Sequence, residues 1–140
     1  MTAREALARV VYEDVAMNGL GFTSDNVFAS NSVTNPENFS NFIVIMDDGT
    51  QKSFGTIGPT IVNYWVHRNA KLGTDYSLID LALLRLRELI TEATHFAGSD
   101  GWVLTGASWV DQSRDLVDDS FNTICKFTTF RAALRHVVIT

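Results

Sequence analysis

Apolar residues recur along this chain with two different periods, and the changes of period divide it into elements. Residues 2 to 18 repeat at helical spacing, with Ala3, Leu7, Val10 and Val11 on one stripe. Thr2 and Glu5 have the spacing of a capping box, and Asn18 and Gly19 end the segment. Residues 23 to 41, "TSDNVFASNSVTNPENFSN", lose the period and are crowded with Ser, Thr and Asn, which predicts a long irregular connection with a short strand near Val27. "FIVIM" (42 to 46) is apolar at every position, as in a strand covered on both faces, and "IVNYWVH" (61 to 67) has the β-branched and aromatic content of its partner. "DDGT" marks a turn between them. Residues 48 to 60 exceed what a tight hairpin needs and include "FGTIGP", so this connection is expected to project as an arm.

A second helix is predicted over residues 76 to 96, capped by Asp75 or Ser77, with Ile79, Ala82, Leu83, Leu86, Ile90 and Ala93 on its inner stripe. Leu78, Leu81, Leu84 and Leu89 widen that stripe enough to imply burial against more than one surface, either a sheet plus the first helix or a sheet plus another subunit. "GSDG" stops it. The last third alternates at period two. Trp102 and Leu104, then Ala107 and Trp109, predict a strand with a register change at Gly106; Phe121, Cys125 and Phe127, set against Ile124, Phe130 and Ala132, predict a long final strand reaching Leu134. The order helix, strand, strand, helix, strand, strand gives an α+β fold, a mostly antiparallel four-stranded sheet with two helices packed on it.

Composition narrows the function. A chain of 140 residues, 46% apolar, fits one domain over 1–140 with extended connections at 23–41 and 48–60. With 16 acidic and 11 basic residues, its net charge of -5 gives no electrostatic reason to hold a phosphate backbone tightly. Cys125 is the only cysteine, which excludes an intrachain disulfide and a thiolate cluster and reads as a small apolar core residue in a reducing compartment. No apolar run approaches the roughly 18 residues of a membrane span. Charges run through "MTAREALARVVYEDV" where a signal core would lie, so the chain is expected to be cytosolic where it is made.

The candidate chemistry centres on "WVDQSRDLVDDSF" (109 to 121), which carries Asp111, Asp115, Asp118 and Asp119. Their spacing lacks the glycine and terminal glutamate of a calcium loop, and a two-metal site would draw its carboxylates from several elements. What remains is a solvated acidic connection between strands, or an acidic surface placed for a partner or a channel. His67, His95 and His136 form no ligand pair at helical spacing. "GLGF" (19 to 22) matches the carboxylate-binding loop of PDZ domains, but polar sequence follows where a strand is required, and Gly19 already serves as a helix stop. No nucleophile elbow or phosphate-binding glycine loop is present. The expectation is therefore a binding or assembly protein with no catalytic residue, cofactor or metal.

Three motifs in order resemble the tail terminator proteins of bacteriophages with long, non-contractile tails. They are Trp65 and His67 on a strand; Asp75, Tyr76, Ile79 and Asp80 at a helix start; and Trp109, Ser113, Asp115 and Asp118 leading into the final strand. The resemblance covers residues 60 to 132. It departs at "VDQ" (110 to 112), where the family has a glycine, and at Lys126, where it has an arginine.

The resemblance implies a virion structural protein at the head–tail junction, made in the host cytoplasm. It implies a homo-hexameric ring that caps the tail tube protein, ends its polymerisation, docks the head-completion or connector protein and lets DNA pass through its lumen, with no membrane involved. A ring needs two different sticky surfaces on each subunit, which suits Leu78, Leu81 and Leu84. The four aspartates would then line the lumen and repel DNA, or pair across subunits with Arg85, Arg87 or Arg131. Alternatives are another head–tail junction protein, such as a head-completion or tube protein, or a small ligand-binding α+β domain.

Overall fold

The computed structural model describes residues 4–29, 33, 35–47, 57–94, 96–98 and 101–136. The chain runs through α1 (Arg4–Tyr12), α2 (Val15–Gly19), β1 (Val27–Phe28), β2 (Asn41–Asp47), β3 (Ile57–Asn69), α3 (Ser77–Glu92), β4 (Phe96–Ala97), β5 (Trp102–Gln112), β6 (Leu116–Asp118) and β7 (Thr123–His136). The strands form one seven-stranded, strongly curled sheet in the order β1-β2-β3-β7-β5-β4, with β6 lying beside β7 where β5 leaves it. β1 pairs parallel to β2 and every other pairing is antiparallel.

This corrects the four-stranded, two-helix α+β sandwich expected from the sequence: among the described residues the sheet is mixed and has seven strands, and three α-helices accompany it. β4 and β6, which the sequence did not show, and β1, the short strand expected near Val27, are two or three residues long, too short to display a period. The first helix divides because Asp14 is extended (φ -80°, ψ 128°) and its carboxylate accepts from the Met17 N–H, so α2 starts afresh on its own cap. α3 stops at Glu92, where Ala93 turns extended and leads into β4. Gly98 and Gly101, expected to stop this helix, instead lie between β4 and β5, with the Gly98 N–H donating to the Trp102 carbonyl at 2.8 Å. β3 takes in 57–60, expected from the sequence to belong to an arm; residues 48–56 of that arm, part of the 23–41 connection (30–32 and 34), Thr2, Ala3, His95, Ser99 and Asp100 lie outside the described residues.

Register assigns every strand residue to one of two faces. β3 and β7 pair without interruption from Ile57↔Arg135 to Asn69↔Thr123. One face carries Ile43, Ile45, Val62, Tyr64, Val66, Ile124, Phe130, Ala132 and Leu134 into a core closed by Leu7 and Val11 of α1 and by Ile79, Leu83, Leu86 and Ile90 of α3. Tyr64 is fully buried there; its hydroxyl donates to the Leu7 carbonyl at 2.9 Å and its ring meets Phe130 edge-on. β5 keeps its apolar side on this core by two register shifts, one between Leu104 and Gly106, adjoining the expected position, and one between Trp109 and Asp111. The opposite face holds Phe42, Val44, Trp65, His67, Cys125 and Phe127. The apolar run of β2 is thus covered on both sides, with Phe42, Ile43, Val44 and Ile45 all buried.

The helical layer is tied together by Arg85 of α3, which donates from Nε and Nη2 to both oxygens of Asp14 at 3.0 and 2.7 Å. That bond, more than the cap donated by Met17, holds the Asp14 carboxyl below its usual range. Asp14→Ala should therefore cost ~2 kcal/mol in urea unfolding, from loss of the cap and of a half-buried ion pair. Asp14→Asn, which keeps the cap acceptor, should lose about half as much. Equal losses in the two variants would mean that the cap contributes nothing.

Candidate functional site

The acidic segment lies where β5 leaves β7 and β6 replaces it. Residues 113–115 bridge the gap, and Ser113 closes it reciprocally: its N–H donates to the Phe127 carbonyl at 2.8 Å and its Oγ accepts from the Phe127 N–H at 3.0 Å. Asp118 ends β6, and its Oδ1 accepts from the Phe121 N–H at 3.0 Å. Asn122, at φ 55°, then turns the chain into β7, a conformation that asparagine tolerates better than most residues.

On the helix-bearing face this segment is tied to α3. Lys126 Nζ binds Asp80 Oδ1 at 2.6 Å and Asp115 Oδ1 at 2.9 Å, and lies 5.7 Å over the Tyr76 ring. Its hydrogen bond with Asp80, joined by that with Asp115, outweighs burial and raises the ammonium pKa. The Tyr76 hydroxyl donates to the Leu116 carbonyl at 2.8 Å. The helix-start motif and the acidic motif of the sequence therefore meet on one cation. Lys126 stands where the resemblance has an arginine; a lysine can serve as the point charge between two separate carboxylate oxygens. The other departure, "VDQ", coincides with the register shift between Trp109 and Asp111, so the irregularity is there without the glycine.

On the opposite face lies an aromatic cluster. The His67 ring stacks on Phe42 at 4.6 Å and 8°, Phe121 meets it edge-on at 5.3 Å, and Trp65 lies 6.4 Å away on the same strand. Phe28 and Phe39 pack against Phe42 in turn. His67 is 2% exposed, and its Nδ1 shares a 2.7 Å hydrogen bond with Thr123 Oγ1. Burial pushes its pKa down to about 4 against the opposing pull of Asp118. Cys125, also buried, is pushed up to about 11 by burial and then by Asp118. Val44, Met46, Trp65, His67, Asp118 and Phe121 line a cleft of about 140 Å³ on this face.

The four aspartates separate into two pairs. Asp115, though exposed, is held by Lys126 and Asp118 caps a turn, whereas Asp111, whose Oδ1 accepts from the Gln112 N–H at 2.7 Å, and Asp119 are exposed with no ion pair among the described residues. No group of three His, Cys, Asp or Glu side chains among the described residues could hold a metal. Of the proposed interface residues, Leu78 is half-buried, while Leu81 and Leu84 are 54% and 60% exposed. Arg85 is engaged with Asp14 and Arg87 lies 3.9 Å over the Trp109 ring, which leaves Arg131 exposed on β7. Sequence reasoning named Lys126 and Phe121 without giving them a role in a site, and it did not single out Thr123. Lys126 had a signal: it interrupts the inward stripe that includes Ile124 and Phe130, and a charge in such a stripe calls for a partner.

No protein-family model and no curated protein matches this sequence. In structure the chain is similar to one in the virion of a native gene transfer agent (GTA) particle, with a TM-score of 0.66, covering 94% of this chain and 93% of that one at 11% sequence identity. At that identity the likeness is one of fold. No helix among the described residues is long and apolar enough to cross a membrane.

His67 makes stability depend on pH. Unfolded, it takes a proton near 6.5; folded, only near 4, so the unfolded chain binds more protons between those values. Stability should fall by up to ~3 kcal/mol as pH drops from 6.5 toward 4 and should not vary through this group above 6.5. Urea titrations between pH 7.5 and 4.5 should show that slope in the native protein and a flatter one in His67→Phe; identical slopes would remove the assignment.

Proposed function

We propose that this chain is a structural subunit of a phage-like virion, and within it a tail terminator: a hexameric ring that caps the tail tube, ends its growth and receives the head-completion or connector protein, with DNA passing through its lumen. The observation that carries the virion reading is the likeness of fold to a gene transfer agent virion chain over nearly the whole of both chains. The finer role rests on the sequence resemblance over residues 60 to 132, whose three motifs come together in space: Asp80 and Asp115 meet on Lys126, while Trp65, His67 and Asp118 line one cleft.

Two features support assembly by surface complementarity. α3 presents Leu81 and Leu84 outward, as one of the two different surfaces that a closed ring requires. Asp111 and Asp119, both exposed and with no ion pair among the described residues, are the acids available to a lumen that repels phosphate. With Arg85 and Arg87 engaged inside the chain, Arg131 is the cation best placed to pair across subunits.

Particles made without this protein should carry tubes of uncontrolled length and no attached heads by electron microscopy, and supplying the protein should restore both; tails of normal length joined to heads would overturn the role. Replacing Asp111 and Asp119 together by lysine should leave stability within about 0.5 kcal/mol and tails assembled, yet slow DNA delivery. Normal delivery by such particles would reject the lumen assignment.

A further inference from the structure

The cleft on the aromatic face has a lining that neither folding nor ring closure accounts for. At about 140 Å³ it falls below the ~300–1,000 Å³ of sites that enclose whole small molecules, and is on the scale of one side chain. Its walls are the rings of Trp65, His67 and Phe121 with the aliphatic groups of Val44 and Met46, and Asp118 supplies a carboxylate.

Among the described residues, that carboxylate has no cation. Asp14, Asp80 and Asp115 each hold a basic side chain, whereas Asp118 has no ion pair among the described residues and spends one oxygen on the Phe121 N–H. His67 does not supply the charge: Nδ1 is shared with Thr123, and the ring is 2% exposed, so burial disfavours its ionised form. A half-buried anion beside aromatic faces is complementary to a cation, which gains both the charge pair and the negative faces of the rings. The chain already uses such contacts, with Arg87 over Trp109 and Lys126 over Tyr76. The absence of three convergent ligands among the described residues argues against a metal ion as the occupant.

We infer that the Trp65–Phe121–Asp118 cleft is a receptor for one arginine or lysine side chain of a neighbouring protein in the assembled particle. It rests on the virion reading only for where that neighbour is found. The cation enters between the aromatic walls and pairs with the free oxygen of Asp118, so the site discriminates by charge more than by shape.

The test is a titration of the isolated protein with N-acetyl-arginine amide and with its neutral counterpart N-acetyl-citrulline amide, followed by nitrogen–proton NMR. The Trp65 indole N–H and the backbone N–H groups of Phe121 and Thr123 should shift with the arginine compound at about tenfold lower concentration than with citrulline. Added salt should weaken the response. Asp118→Asn keeps an acceptor for the Phe121 N–H and should abolish the preference for arginine; Trp65→Leu should weaken both ligands. Equal response to the two ligands, no response at these groups, or an arginine preference that survives in Asp118→Asn would overturn the inference. None of these outcomes bears on tail length, so receptor and terminator stand or fall separately.

Discussion

The uninterrupted pairing of β3 with β7 is the constraint on which the other layers depend. β7 has a partner on each edge, β3 on one and β5 followed by β6 on the other, and side chains alternate between faces at period two. A slip of one residue would withdraw Phe130, Ala132 and Leu134 from the core and drive Thr129, Arg131 and Ala133 into it. The same register turns Lys126 toward α3 and sets His67 opposite Cys125, one step from Thr123. Both the ion cluster and the aromatic cluster are therefore consequences of one alignment. β5 meets that alignment only by shifting register twice, which bends it along the curled sheet.

What the sequence made legible follows from length and period. β2, α3, β5 and β7 are long enough to repeat their pattern several times, and the irregularity near Gly106 was readable because the apolar alternation changes phase there. β4 and β6 contain too few residues to repeat anything, so they arise from what lies beside them, and β1, equally short, showed only as a short strand near Val27. The break at Asp14 was hidden for another reason: residues on both sides keep the helical stripe, and only the cap to Met17 and the bond to Arg85, a residue far along the chain, favour interruption. The end of α3 was read too late because Ala93 fits the stripe even though its backbone has left the helix.

The aspartates illustrate the same limit for the site. Their clustering and their lack of ligand spacing were visible in one dimension, but which acids are occupied was not. Asp115 faces α3 because Lys126 is there, and Asp118 turns back because the Phe121 N–H needs an acceptor. The two faces of the sheet then carry different tasks. One is sealed by helices and holds the core. The other is aromatic where Phe28, Phe39 and Phe121 cover Phe42, and polar toward the opposite end, where Arg131 and Arg135 are exposed.

Cys125 sits beneath this second face, paired with Leu116 of the three-residue strand β6. Its thiol is 1% exposed and holds its proton well above neutral pH, so an alkylating reagent finds neither access nor thiolate while β6 stays in place. Labelling then requires the packing around Cys125 to open, and its rate reports local breathing at that seam separately from global unfolding. The native chain thus carries a chemical clock for the motion of its acidic segment, readable by mass spectrometry without an introduced probe.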